Sequence, residues 1–392
     1  MDIFSKCHDF TRAKMAKAMG YYPYFIPFDD TEGTEVIING QRKIMIGSNN
    51  YLGLTTHPKV REAALQAIKK YGTSCTGSRF MNGTLSLHEE LERRLARFVG
   101  KEAALVFSTG MQTNLGTISA LVGRDDVAIT DKEDHASIID GCRLSYGTMK
   151  RFRHNDVKNL EAVLKTIPED SGKLVIVDGV YSMGGDLAPL PEMIEVCQKY
   201  GARLMVDDAH GIGTVGNMRG TSVHFGVTDQ VDLIMSTFSK SFASLGGFIA
   251  GDEPIIHYIQ HHARALLFSA SIPPSNAAAA LAALDIMESE PERFERLQQI
   301  AQKMRDGYRS LGFDIGNTAT PIIPIIIRDE MRTLEMWKQL YEAGVYTNCV
   351  IPPGVSPGMS LLRTSYMATH TDEQMDRVLE TFAVVGKKVG VI

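Results

Sequence analysis

The chain reads as an α/β protein with a mainly parallel central sheet flanked by helices, followed by a smaller α+β C-terminal unit. Three observations predict this. Short apolar runs alternate with helical patterns between Ala103 and Met235, as expected of strands joined by crossover helices. Polar or glycine-rich residues follow the ends of five such runs, and open α/β sheets bind ligands outside the carboxyl ends of their strands. Beyond about Glu288 the rhythm changes to long helices with few strands.

The elements follow in order. Met1–Gly20 reads as an amphipathic helix leading into an aromatic segment, Tyr21–Phe28. Glu35–Ile38 and Lys43–Ile46 read as a hairpin around Asn39-Gly40, a strong two-residue turn signal. A polar loop, Gly47–Leu54, precedes helices over Pro58–Tyr71 and Leu85–Val99, with a glycine- and hydroxyl-rich loop between them.

The strand candidates are Ala103–Phe107, Val127–Thr130, Lys173–Val177, Arg203–Val206 and Val231–Met235. They lead respectively to Ser108–Gln112, Asp134–Ser137, Asp178–Ser182, Asp207–His210 and Thr237–Lys240. Leu190–Tyr200 reads as a helix with Pro191 in its first turn, where a missing N–H is harmless. Asn276–Leu284, Pro291–Leu311, Thr333–Ala343 and Thr371–Val385 read as helices, with strands at Ile322–Ile327 and Ser360–Ser365. The expected organisation is an N-terminal arm and hairpin over 1–46, a large domain over 47–287 and a small C-terminal domain over 288–392. No repeat or low-complexity segment interrupts it.

The 392 residues are 44% hydrophobic and 22% charged, ordinary for a globular protein. A net charge of −5 gives no bulk attraction to nucleic acid or to an anionic membrane. The five cysteines are scattered without metal-ligand spacing, which favours free thiols in a reducing compartment and no metal. The N-terminal stretch lacks an apolar core of the secretory kind, and no run approaches the ~20 apolar residues of a membrane span. The expected setting is the cytoplasm, with peripheral contact at the inner face of the membrane left open.

Lys240 is the centre of the chemical reading. A lysine beyond a buried strand can form an imine with a carbonyl cofactor, or can be a loop lysine. A pyridoxal phosphate site needs that lysine, an acid against the ring nitrogen, and phosphate donors at a helix N-terminus. Asp207 ends a strand and can supply the acid; Gly110 and Met111 open a helix; Thr237 and Ser239 can add hydroxyls. Each has a structural alternative. Asp207 could cap a helix, His210 could be a satisfied core histidine, His135 could cap with Asp134, and Gly110 could serve only a turn. All of those alternatives would have to hold together on one edge of one sheet.

The chain resembles the α-oxoamine synthases, fold-type I pyridoxal phosphate enzymes that join an amino acid to an acyl-CoA thioester with loss of carbon dioxide. The resemblance covers nearly the whole chain. It is carried by Ser48-Asn49-Asn50-Tyr51-Leu52-Gly53, Gly77-Ser78-Arg79, Asn82-Gly83-Thr84, Ser108-Thr109-Gly110, Asp134-His135-Ala136-Ser137, Asp207-Asp208-Ala209-His210, Thr237-Phe238-Ser239-Lys240, Phe268-Ser269 and Leu362-Arg363. Within the family, Gly77–Thr84, His135–Gly141, Phe238–Phe248 and Met367–Thr371 are most similar to the bacterial serine palmitoyltransferases. The run Ser241–Leu245 after the lysine is the main sequence clue to serine. One departure is Asp208, where many relatives carry glutamate.

The resemblance implies roles. Lys240 would carry the internal aldimine, Asp207 would pair with the pyridinium nitrogen, and His135 would stack on the ring and help seat the substrate. His210 and Ser182 would bond near the ring oxygen. Gly110, Met111 and Thr237 would hold the phosphate, with Ser269 and Ala270 reaching a phosphate in the partner subunit of a homodimer. Arg363 would bind the amino acid carboxylate, with Asn50 also at the substrate. The implied substrates are L-serine and a long-chain acyl-CoA. Glycine or alanine with a shorter acyl-CoA, a non-catalytic partner subunit, and an aminotransferase remain as alternatives.

Overall fold

The computed structural model describes residues 2–392. Its central sheet has seven strands in the order Ala103–Phe107, Gly247–Gly251, Leu233–Thr237, Arg203–Asp207, Lys173–Asp178, Val127–Asp131 and Thr148–Phe152. Gly247–Gly251 is antiparallel to both neighbours, and the other pairings in the sheet are parallel. The exception has a simple cause. The link Phe238–Gly246 holds no crossover helix, and parallel neighbours need a connection of a dozen or more residues.

Period-two alternation splits the strands between two cores. Val175, Val177, Leu204, Val206 and Ile234 face one cluster with the helices Pro58–Tyr71, Ser86–Val99, Leu190–Lys199 and Pro274–Ser289. Leu174, Ile176, Met205, Leu233 and Met235 face the other, with Gly110–Leu121, Ala136–Leu144 and Glu253–His262. A sheet covered on both faces exposes its polar residues only at strand ends, and that confines a site to those ends.

A three-stranded antiparallel sheet of Ile322–Arg328, Ser360–Ser365 and Asn348–Val350 anchors the C-terminal unit. Helices Glu292–Leu311, Glu330–Glu342 and Asp372–Val389 accompany it. The Asn39-Gly40 hairpin forms between Glu35–Ile38 and Gln41–Met45, and both turn residues have left-handed φ, 51° and 70°. That is the geometry a type I′ turn demands. The hairpin packs with the C-terminal unit: Val345–Tyr346 adds to it in parallel, and Ile44 and Ile46 share a core with Trp337, Leu362 and Phe382.

Two expectations are corrected. The single amphipathic helix over the first twenty residues is instead two short helices, Ser5–His8 and Arg12–Ala18, neither with a buried residue; Met1 lies outside the described residues. The edge strand Thr148–Phe152 was not anticipated, because its sequence, Thr-Met-Lys-Arg-Phe, carries the polarity of an exposed edge. Among the described residues no helix is long and apolar enough to cross a membrane.

Candidate active site

The strand ends enclose a cavity of about 260 Å³ lined by Gly110, Met111, His135, Asp207, His210, Thr237 and Lys240, together with Asn114, Ser137, Asp178 and Leu245. Five sequence-distant segments therefore converge as the strand order places them. The cavity suits a phosphate-bearing ring. Gly110 opens the helix Gly110–Leu121, where the first N–H groups have no intrahelical acceptor. A Cβ at Gly110 would lie 2.8 Å from Thr237 Oγ1, so only glycine lets that backbone approach so closely. Thr237 Oγ1 is 3.0 Å from Ser239 Oγ, placing two hydroxyls beside the same helix start.

Lys240 is half-buried in this cavity. Burial pulls its pKa down to about 8, against the opposing fields of Asp207 and Asp178 and with help from Arg363. An amine in that range is in part neutral, hence nucleophilic, near neutral pH. Asp207 is buried, and its carboxylate is oriented by two donors: Asn114 Nδ2 at 2.7 Å and the Ala209 N–H at 3.0 Å. Asp178 is its register partner on the neighbouring strand. Burial, then the charges of Asp207 and Asp134, push the Asp178 pKa well up.

His135 caps the helix Ala136–Leu144 through its own ring, Nδ1 accepting from the Ser137 N–H at 3.2 Å. The sequence had offered Asp134 as a capping partner. Instead Asp134 ties two strand ends together, accepting from the Asp131 and Asp178 N–H groups. His210 is buried, with Nδ1 2.7 Å from the Tyr51 hydroxyl. Burial, then Lys240 and Arg363, hold it well below the usual histidine range. It is therefore neutral.

Arg363 approaches the site from the C-terminal sheet, near enough to act on Lys240 and His210, without lining the cavity itself. Ser365, two residues on, fixes that strand against the Gly47–Leu54 loop: its N–H donates to Ile46 O and its hydroxyl to Ser48 O. The Arg363 guanidinium is 4% exposed and donates to Ser182 O, Asn49 Oδ1 and Tyr51 Oη at 2.5, 3.0 and 3.4 Å. Every one of these acceptors is neutral.

Several expected residues sit elsewhere. Asn50 is buried in its own loop, its amide donating to Thr55 Oγ1 and accepting from the Leu54 N–H, both at 2.9 Å; Asn49 occupies the place beside Arg363. Ser182 contributes its carbonyl to Arg363 and is not part of the cavity wall. Ser269 and Ala270, expected to serve the partner's site, do not line this chain's cavity; Ser269 Oγ accepts from Gln112 Nε2 at 2.8 Å. Ser241 points away from the site, donating to Ile212 O at 2.8 Å, and Phe242 is buried against Phe238 and Phe248. Of the run Ser241–Leu245, only Leu245 lines the cavity. The Ser241 side chain is thus engaged with Ile212 and packed against Gly213.

Asn114 was not named from the sequence, and Ser137, Tyr51, Asn49 and Asp178 stood only within quoted stretches, with no role given to them. Asn114 left a signal: it is a buried amide one turn after Gly110, on the helix that opens at the candidate phosphate site.

Fold and site together are those of a fold-type I pyridoxal phosphate enzyme. The family profile Aminotransferase class I and II matches residues 41–382. A serine palmitoyltransferase of Sphingobacterium spiritivorum is 50% identical over 373 residues, 95% of this chain and 94% of that one. An 8-amino-7-oxononanoate synthase of Alkaliphilus metalliredigens is 42% identical over 360 residues, 91% of each chain. A solved structure of SPT with PLP internal aldimine superposes with a TM-score of 0.97 at 38% identity, over 100% of both chains. The chain belongs to the α-oxoamine synthase family.

Proposed function

We infer that this enzyme condenses L-serine with a long-chain acyl-CoA, palmitoyl-CoA in the first instance, to give 3-ketodihydrosphingosine, CoA and carbon dioxide. The observation that carries serine, as against glycine or alanine, is the 50% identity to a serine palmitoyltransferase over almost the full length of both chains. The buried Arg363, surrounded by neutral acceptors, supports an α-amino acid as the first substrate. A desolvated guanidinium is stabilised by a carboxylate that can take two of its N–H groups.

Bound pyridoxal phosphate supplies the electron sink that takes up the charge left when a bond to the α-carbon breaks. Gly110 and Met111 N–H groups with the Thr237 and Ser239 hydroxyls would hold its phosphate, Asp207 would pair with its ring nitrogen, and His210 would bond near its ring oxygen. Lys240 would hold the cofactor by its amine and would be the base that takes the α-proton. Arg363 holds the carboxylate and thereby selects which α-carbon bond is aligned for cleavage. In the net reaction the α-carbon bonds to the thioester carbon, the C–S bond breaks, and CoA leaves as the thiol. The carboxyl C–C bond then breaks to release carbon dioxide, and the α-carbon takes a proton back.

The active form we propose is a homodimer with shared sites. Phe80, Met81 and Phe268 are 63%, 77% and 76% exposed in the single chain, next to the Ser269-Ala270 segment expected to reach a partner's phosphate. A second copy would cover them. The proposed setting is the cytoplasm. Titrating the cofactor absorbance with serine, glycine and alanine tests the amino acid directly: serine alone should perturb it at low concentration, and preference for glycine or alanine would replace this reading.

A further inference from the structure

We propose that Asn114 and Ser137 are positioning residues that hold His135 as a neutral imidazole with its proton on Nε2. The tautomer follows from geometry alone. Its consequence, that His135 acts as a hydrogen-bond donor to the bound amino acid and not as a base, rests on the function inferred above.

The Ser137 N–H lies 3.2 Å from His135 Nδ1. An amide N–H can only donate, so Nδ1 presents its lone pair. The Ser137 hydroxyl is 2.7 Å from the same nitrogen, and with Nδ1 an acceptor the hydroxyl is the donor. The hydroxyl oxygen accepts from Asn114 Nδ2 at 2.8 Å. The second proton of that amide goes to Asp207 Oδ2 at 2.7 Å. Asp207 thereby fixes which way the Asn114 amide points, since the flipped amide would set its oxygen against a carboxylate.

The chain of donors runs one way only, from Asn114 through Ser137 to His135. Asn114 and Ser137 are both buried, and Asn114 Oδ1 has no partner. A buried acceptor left unpaired is costly, so the two donor bonds must outweigh it for this orientation to persist. A proton on Nδ1 would confront two donors. Burial of the ring also opposes a second proton, against the attraction of Asp207 and with the help of Lys240. Nε2 has no partner among the described residues, while the ring lines the cavity. Nε2–H is then the donor offered there.

The test uses the full-length holoenzyme labelled with ¹⁵N-histidine, with His135 assigned by comparison with His135→Gln. The two-bond ¹H–¹⁵N spectrum separates the Nδ1–H, Nε2–H and doubly protonated rings. His135 in the unsubstituted enzyme should show the neutral Nε2–H pattern; an Nδ1–H or charged ring there overturns the proposal without any variant. Ser137→Ala should mix the tautomers and raise KM for serine about tenfold, the loss of one oriented hydrogen bond, while Ser137→Thr should restore both. A Ser137→Ala enzyme with an unmixed Nε2–H pattern would leave the tautomer to the Ser137 N–H alone and overturn the part assigned to the Asn114 and Ser137 side chains. If the pattern is as expected but serine leaves the cofactor spectrum unchanged, the inferred function fails and the tautomer stands.

Discussion

The Arg363 guanidinium lies buried with Nη2 3.0 Å from the amide oxygen of Asn49, and has no ion-pair partner among the described residues. The desolvation of that charge is offset only by neutral acceptors, so the site is preorganised for an anion. Arg363→Ala is expected to weaken serine binding roughly 10- to 100-fold, the range for hydrogen bonds to charged groups. Spectral titration with serine measures it, and an unchanged titration would place the carboxylate elsewhere.

Lys240 and Asp207 separate in their consequences. Lys240→Ala should abolish both turnover and the visible absorbance of lysine-bound cofactor, because no other lysine lines the cavity. Asp207→Asn should retain some cofactor, held by the helix start at Gly110, and lose most turnover. Near-normal turnover in Asp207→Asn would remove Asp207 from the ring nitrogen.

The depressed pKa of Lys240 has a stability signature in the cofactor-free protein. Its folded value is about 8, against ~10.4 for an unfolded chain. Between those two values the unfolded chain binds more protons at this position. Stability due to this group therefore rises with pH across that window, and below it the cost of burying the ammonium is present in full. Lys240→Met should melt above the unsubstituted apoprotein at pH 7, and the gap should shrink as pH rises past 8. A gap that widens with pH contradicts the shift.

Asp208, where the resemblance led one to expect glutamate, is closely enclosed. Cβ atoms built on Gly179, Gly211 and Gly220 would fall 2.6, 1.7 and 2.0 Å from its carboxylate oxygens. The carboxylate fills a space bounded by three glycines, with burial pushing its pKa up to about 7 and Thr221 donating from N–H and hydroxyl. Asp208→Glu should cost about 1–3 kcal/mol by overpacking, read as a lowered melting temperature. An unaltered melting curve would show that the cradle yields.

The central architecture was legible because its signals are local. Buried strands are continuous apolar runs, their helices are periodic, and the Asn39-Gly40 turn has one favoured geometry. The site was legible where a residue type has few uses at a strand end, as with Asp207 and Lys240. It was illegible where a choice depends on side-chain direction. Asn49 and Asn50 are adjacent and identical in kind, yet one faces Arg363 and the other staples its own loop. Ser241 opened the run that served as the sequence clue to serine, and its hydroxyl turns back to Ile212. Thr148–Phe152 was hidden by the polarity of an edge strand. Asn114 connects Asp207 to Ser137 across the fold, a relation no spacing records.

The central claim is that this site joins serine to a long-chain acyl group. Mass spectrometry of the products formed from serine with a ladder of acyl-CoA lengths tests it most directly. The account predicts 3-keto amino alcohols that carry the supplied acyl chain, formed with release of CoA and carbon dioxide, and 3-ketodihydrosphingosine from palmitoyl-CoA. Products that require glycine or alanine in place of serine, or that form without any acyl-CoA, would contradict it.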